Sequence, residues 1–201
     1  MRTVMLIVTL LAGSRFVQAQ ATGWPNTRQG FWISFGMGDG SGRINCTYFC
    51  LLSSYHRQFG HSGYVRVGST LSPHVLLGGE TTGWLRDHYS QDFVGSASVV
   101  VLWYPRPTGA AYLKAGIGGT RFRRYHATTA TVDGMDIRAT APSVTLGVGY
   151  EARVGRGVSL APWVTYLASP TVALHGFTAP PLTHAQFNVN ILQGGLGVTW
   201  H

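Results

Sequence analysis

From residue 30 onward, apolar side chains recur at every second position and not at helical spacing. In segment 30–38, Phe31, Ile33, Phe35 and Met37 share one face, and Ser34, Gly36 and Gly38 the other. Successive side chains of an extended chain point to opposite sides, so this reads as a strand with one greasy face and one small or polar face. The alternation returns in segments 63–71, 75–84, 93–104, 110–121, 143–153, 158–167 and 187–200. In the second, Val65, Val67 and Leu71 oppose Tyr64, Arg66, Gly68 and Thr70; in the fifth, Leu113, Ala115 and Ile117 oppose Lys114, Gly116, Gly118 and Thr120. Most of these eight predicted strands are near the 9–11 residues that a tilted strand needs to cross a bilayer.

Connection lengths alternate as well. Stretches 72–74, 105–109 and 154–157 are short, whereas 39–62, 85–92, 122–142 and 168–186 are long. Short turns at one rim and long loops at the other suit an eight-stranded antiparallel up-and-down transmembrane β-barrel, with both termini on the short-turn, periplasmic side. Eight strands alone would also fit a soluble lipocalin-like barrel, which has no reason to segregate its loops. Pro162 conflicts with an unbroken ladder, because a closed barrel has no edge on which to hide a missing N–H. A bulge or a local break there is expected.

Composition sharpens this picture. Charged residues are 11% of the 201-residue chain, aromatics 12%, and there are 27 glycines; a soluble enzyme carries about a quarter charged residues. Residues 1–21 read as a signal peptide, with Arg2, an apolar run over 4–12 and small residues at Ala19 and Ala21; residues 22–201 then form one barrel domain. Losing Arg2 and Arg15 takes the net charge from +8 to +6. The remaining basic residues are scattered and not gathered on one element, which argues against nucleic acid and for solvated loops or anionic lipid headgroups.

The strand number, the alternating connections and the terminal Leu196-Gly197-Val198-Thr199-Trp200-His201 resemble the small OmpA/OmpX-like barrels of the outer-membrane protein β-barrel domain family. The resemblance spans the whole of 22–201 and rests on patterns, not on a catalytic signature. It implies residence in a bacterial outer membrane and insertion by the barrel-assembly machinery, which would read Leu196, Val198 and Trp200 as the C-terminal signal. It implies no enzymatic activity. Aromatic girdles are expected at both interfaces, from Phe31, Trp103, Tyr112 and Trp200 near the short turns and from Trp84, Phe93, Phe122, Tyr166 and Phe187 near the long loops, with inward filling as the alternative for those, such as Tyr112, whose parity allows it.

The predicted inward charges are Arg66, Glu80, Lys114, Glu151 and Arg153. An eight-stranded barrel is just wide enough for its own side chains, so these should form a plug, and buried charges need partners. Arg66 and Glu80 stand equally far from Pro73 and should meet across the second hairpin; Lys114 and Glu151 are candidates for a second pair. Cys46 and Cys50, in an exported chain, predict a disulfide. Zinc shared with His56 and His61 is the competing reading, but the spacing is too tight for a finger, and no metal or cofactor is expected. Gly36, Gly38, Gly40 and Gly42 lack a phosphate-binding context. Arg121, at the end of the fifth predicted strand, and Arg123 and Arg124, in the long connection after it, are candidates for contacts with anions, lipopolysaccharide phosphates among them. His88 and His126 are the candidates for a lipid-modifying enzyme, yet neither sits in a recognisable triad. The expectation is a monomeric, non-catalytic barrel serving envelope structure or surface interaction.

Overall fold

Ten strands form among the residues that the computed structural model of the protein describes, 28–46, 57–86, 91–129, 132–173 and 186–201. They are β1 (Phe31–Cys46), β2 (Gln58–Ser72), β3 (Val75–Arg86), β4 (Gln91–Trp103), β5 (Ala111–Thr129), β6 (Val132–Tyr150), β7 (Ala152–Gly155), β8 (Val158–Ala168), β9 (Val172–Ala173) and β10 (Gln186–Trp200). From β1 to β6 each strand pairs antiparallel with the next; β6 pairs with β8, β8 with β10, and β10 with β1, so the sheet closes. β7 continues the line of β6, and β9 adds a short pairing to β10. This is an eight-stranded antiparallel barrel, with no helix among the described residues.

The register fixes its shape. Direct partners followed once around from Ile33, through Val67, Gly79, Val99, Ile117, Val144, Ala168 and Asn190, lead back to β1 at Arg43, ten residues farther along. With strands rising ~3.3 Å per residue and lying ~4.8 Å apart, that stagger tilts them by about 40°.

Hydropathy is inverted relative to a soluble barrel. Val65 is 50% exposed, Ile117 71% and Leu146 58%, while Tyr64, Arg66, Lys114 and Thr145 are buried inside. Along β2 the outward greasy run extends from Leu71 to the polar His61. At this tilt the run is roughly 25 Å tall, the height of the apolar band of membrane barrels. Closure matters here, because hydrocarbon offers no partner to an unpaired backbone amide.

Large inward side chains lie against glycines of nearby strands. The Trp32 ring covers Gly78, where an added Cβ would come 2.9 Å from Trp32 Cζ2, and the Tyr112 ring lies on Gly149, where a Cβ would collide with it. Gly157, with φ of 70°, makes the turn into β8, and its carbonyl accepts from the His201 amide at 2.9 Å.

Pro162 is accommodated by a break. The β6–β8 ladder ends at Gly149↔Trp163 and resumes as β7–β8 at Ala152↔Leu160 in the same register. The gap falls opposite Pro162, the residue with no N–H, and it divides the predicted sixth strand at Glu151. On its other side the Glu151 amide donates to Ala110 O at 2.8 Å, continuing the β5–β6 pairing. Two predicted long connections are shorter than expected. Most of 122–142 belongs to the extended β5–β6 hairpin, and 39–62 is trimmed from both ends by β1 and β2. Continued alternation past the membrane band lets these strands go on pairing in water.

Candidate functional site

The register stacks the lumen into layers. At the base, near the short turns, Arg28 enters ahead of β1 and is 5% exposed. Its guanidinium lies 3.5 Å from the Tyr104 ring centroid and donates to Gly109 O (2.6 Å), Pro107 O (3.0 Å) and Glu151 Oε2 (3.3 Å). His201 Nε2 also approaches Glu151 Oε2 at 3.3 Å, so the last residue of the chain is tied to the same carboxylate. One carboxylate at the base thus serves both Arg28 and His201. Trp32, Leu76, Leu102, Tyr104 and Tyr112 pack around this base.

Above it lies a charge cluster. Arg66 and Glu80 are direct cross-strand partners, with Nη2 to Oε2 at 2.6 Å and Nε to Oε2 at 2.7 Å. Lys114 Nζ donates to both Glu80 oxygens, at 2.7 and 2.9 Å. One carboxylate therefore serves two cations, and all three residues are at most 4% exposed. Lys114 does not meet Glu151 as expected. The β5–β6 register sets it opposite Gly147, pointing across the lumen to β3, while Glu151 lies farther toward the base. Arg66 also faces the Tyr64 ring at 4.3 Å, and Tyr64 OH, Ser34 Oγ and Thr199 Oγ1 form a short hydroxyl chain with steps of 3.0 and 2.9 Å. Farther up, Thr82 and Ser96 are hydrogen-bonded at 2.6 Å.

The far end is capped by apolar side chains: Ile44, Trp84, Val94, Phe122, Leu167, Phe187, Val189 and Ile191. Phe122 stacks on Phe187 with ring centroids 5.4 Å apart, and Trp84 Nε1 donates to Gly40 O at 3.2 Å. This corrects the girdle expected at that end. Trp84, Phe122 and Phe187 have inward parity and fill the lumen, and of the five aromatics expected there only Phe93 and Tyr166 face out. At the base, Phe31, Trp103 and Trp200 face out, whereas Tyr112 faces in. Trp84, Phe122 and Phe187 sit one residue out of phase with their greasy neighbours, and that parity is the signal in the sequence. No comparable signal marks Arg28 or His201, which lie outside the alternation.

The other predicted residues are placed as follows. Arg153 is half-buried on β7, opposite Ser159. Arg121, Arg123 and Arg124 lie on β5 and not in a loop, with Arg121 exposed on the outer face between Gly95 and Thr140, and with Arg124 opposite Asp92 and Ile137. Leu196 and Trp200 face outward on β10, and Trp200 packs on Phe35 with ring centroids 5.1 Å apart. Val198 is half-buried between Phe35 and Leu160. Cys46 ends β1, while Cys50, His56 and His88 lie outside the described residues; His126 is carried on β5. His61 sits on β2, not in a loop, and pairs with Asp39 at 2.9 Å on the outer face, with both side chains about three-quarters exposed. Among the described residues no three His, Cys, Asp or Glu side chains gather as a metal site.

The sequence matches no protein-family model and no curated protein. Solved structures do match. Neisserial surface protein A is similar over 85% of this chain and 96% of its own, with 12% identity and a TM-score of 0.54. Ail, the attachment invasion locus protein of Yersinia pestis, in complex with the heparin analogue sucrose octasulfate, is similar over 84% of this chain and 99% of its own, with 10% identity and a TM-score of 0.53. The chain thus has the fold of small eight-stranded outer-membrane barrels across its described length.

Proposed function

We propose that the protein is a monomeric, non-catalytic integral outer-membrane barrel, with both termini periplasmic, that meets anionic surface partners through the strand extensions at its far end. One observation carries this reading: a closed barrel wears a continuous apolar belt outside and is filled by its own side chains inside. Insertion of such a belt would fall to the barrel-assembly machinery, with Leu196, Val198 and Trp200 as its signal. The inward acids Glu80 and Glu151 are each engaged by two basic side chains and lie under covering aromatics, which supports a structural plug. The far end is basic. Arg43 and Arg57 are exposed at neighbouring positions of the first hairpin, held by Asn45 Oδ1 and Ser41 O, each at 3.0 Å. The Ail structure holds a polysulfated sugar, and guanidinium groups suit sulfate and phosphate on surface glycans or lipopolysaccharide alike.

Two measurements test this. The protein should stay with outer membranes through an alkaline wash and migrate differently on gels before and after heating. Arg43→Ser/Arg57→Ser should elute from immobilised heparin at clearly lower salt than the wild type; an unchanged elution point would reject these residues as the contact.

A further inference from the structure

The lipid-facing wall is not uniformly greasy. On the outer face of β3–β5, toward the far end, Gly83, Ala97 and Gly119 form the floor of an open groove of about 1150 Å³, with Phe35 and Phe93 among its walls. Strand geometry does not demand these small residues. A Cβ at Gly119 would find nothing nearer than Ala141 O at 3.9 Å, and one at Gly83 would meet only the Phe93 ring at 3.4 Å. The inward Gly38 and Gly118, by contrast, have backbone so close that no Cβ fits. What the small outward residues provide is space, in a belt whose neighbouring positions carry Val99, Ile117 and Val144.

Arg121 lines the groove two residues beyond Gly119 on the same face of β5. It is exposed, and among the described residues no carboxylate is paired with it. An apolar trough ending in an unpaired cation is complementary to one kind of molecule, an amphiphile with an anionic head. A second copy of the chain would bring chiefly its apolar belt to this face, whereas an anionic lipid carries the counter-charge on the same molecule as the acyl chain.

We propose that the groove retains one acyl chain of a phosphate-bearing lipid whose headgroup pairs with Arg121. This rests on the membrane reading above but not on the heparin contact, which uses Arg43 and Arg57. The full-length protein would be purified in detergent, checked for its heat-shifted band, and offered phosphatidic acid or diacylglycerol with identical acyl chains, with retained lipid counted by native mass spectrometry. One charge-assisted contact predicts about tenfold preference for phosphatidic acid. Arg121→Ser should abolish the preference while leaving weak retention of both lipids. Gly119→Leu/Ala97→Leu, which fills the floor with further apolar surface, should lower retention of both, and Arg106→Ser at the opposite rim should change neither. Equal retention of the two lipids by the wild type, or a preference surviving in Arg121→Ser, would overturn the proposal even if the filled variant failed to fold. Heparin elution on the same samples reports separately on the far-end contact.

Discussion

Glu80 is the point where the interior is most exposed to a single change. Replacing it with Gln keeps the volume but leaves Arg66 and Lys114 facing a neutral amide, in a lumen where both are almost wholly covered. Arg66 cannot shed its proton. Removing one partner of a buried pair costs about 3–5 kcal/mol, because the charge left behind is neither solvated nor matched. Two cations share this carboxylate through contacts of 2.6 to 2.9 Å, which places Glu80→Gln at the upper end of that range. The assay is urea unfolding of the barrel refolded into lipid vesicles, read by the heat-shifted band and by tryptophan fluorescence. Glu80→Leu/Arg66→Met/Lys114→Met, which removes all three charges together, should recover most of the loss. Single-channel conductance should stay at background in both variants, since the apolar cap above and the aromatics below are untouched. A Glu80→Gln barrel that unfolds within about 0.5 kcal/mol of the wild type, inside the usual range of surface substitutions, would refute the reasoning. So would one that conducts without losing stability.

Trp84→Ala removes the largest member of the far cap and should cost about 3–5 kcal/mol by cavity formation; vesicle unfolding checks it, and a loss below 1 kcal/mol would mean that the cap is not packed as described. Gly149→Ala sets a methyl against the Tyr112 ring, and a variant with unchanged folding yield would contradict that contact. Glu151→Gln leaves the buried Arg28 guanidinium without its carboxylate and should lower the unfolding free energy in vesicles by about 3–5 kcal/mol; a loss below 1 kcal/mol would reject the ion pair at the base.

The outside of this barrel was legible because apolar side chains recur at most outward positions, as at Val65, Val67, Ile117 and Leu146. The Arg66–Glu80 register was expected from a turn centred on Pro73. The turn is instead Pro73-His74 with Ser72 opposite Val75, and a bulge between Thr70 and Ser72 shifts the ladder by the one residue that sets Arg66 against Glu80. Lys114 shows where such reasoning stops. Its partner depends on the β5–β6 register, and that hairpin closes through an extension whose length the alternation does not reveal. Lys114 then reaches across the lumen to a strand that is not its neighbour, a distance that local pairing cannot predict. Trp84, Phe122 and Phe187 were misplaced because an aromatic near a membrane edge suits both a girdle and a cap, and only parity distinguishes them. Arg28 and His201 lie beyond the alternation altogether, so no periodicity could assign them to the base.

The layering follows from a conflict between two requirements. Eight tilted strands enclose a lumen too narrow for bulk water but too wide for small residues to fill. Filling it with aliphatic chains alone would make both faces of every strand greasy, and such a chain would have no alternation to tell the inside from the outside during insertion. Polar inward residues preserve that distinction, yet each buried charge then needs a partner and each partner needs cover. The arrangement here meets both requirements at once. Glu80 and Glu151 each draw in basic groups from distant parts of the chain, β2 and β5 for the first, Arg28 and His201 for the second. Trp84 and Phe122 at one end and Trp32 and Tyr104 at the other then close the column over them. On this reasoning the acids are the organising residues and the cations follow, because a cation at the end of a long aliphatic stem can reach for a partner whereas a short carboxylate cannot.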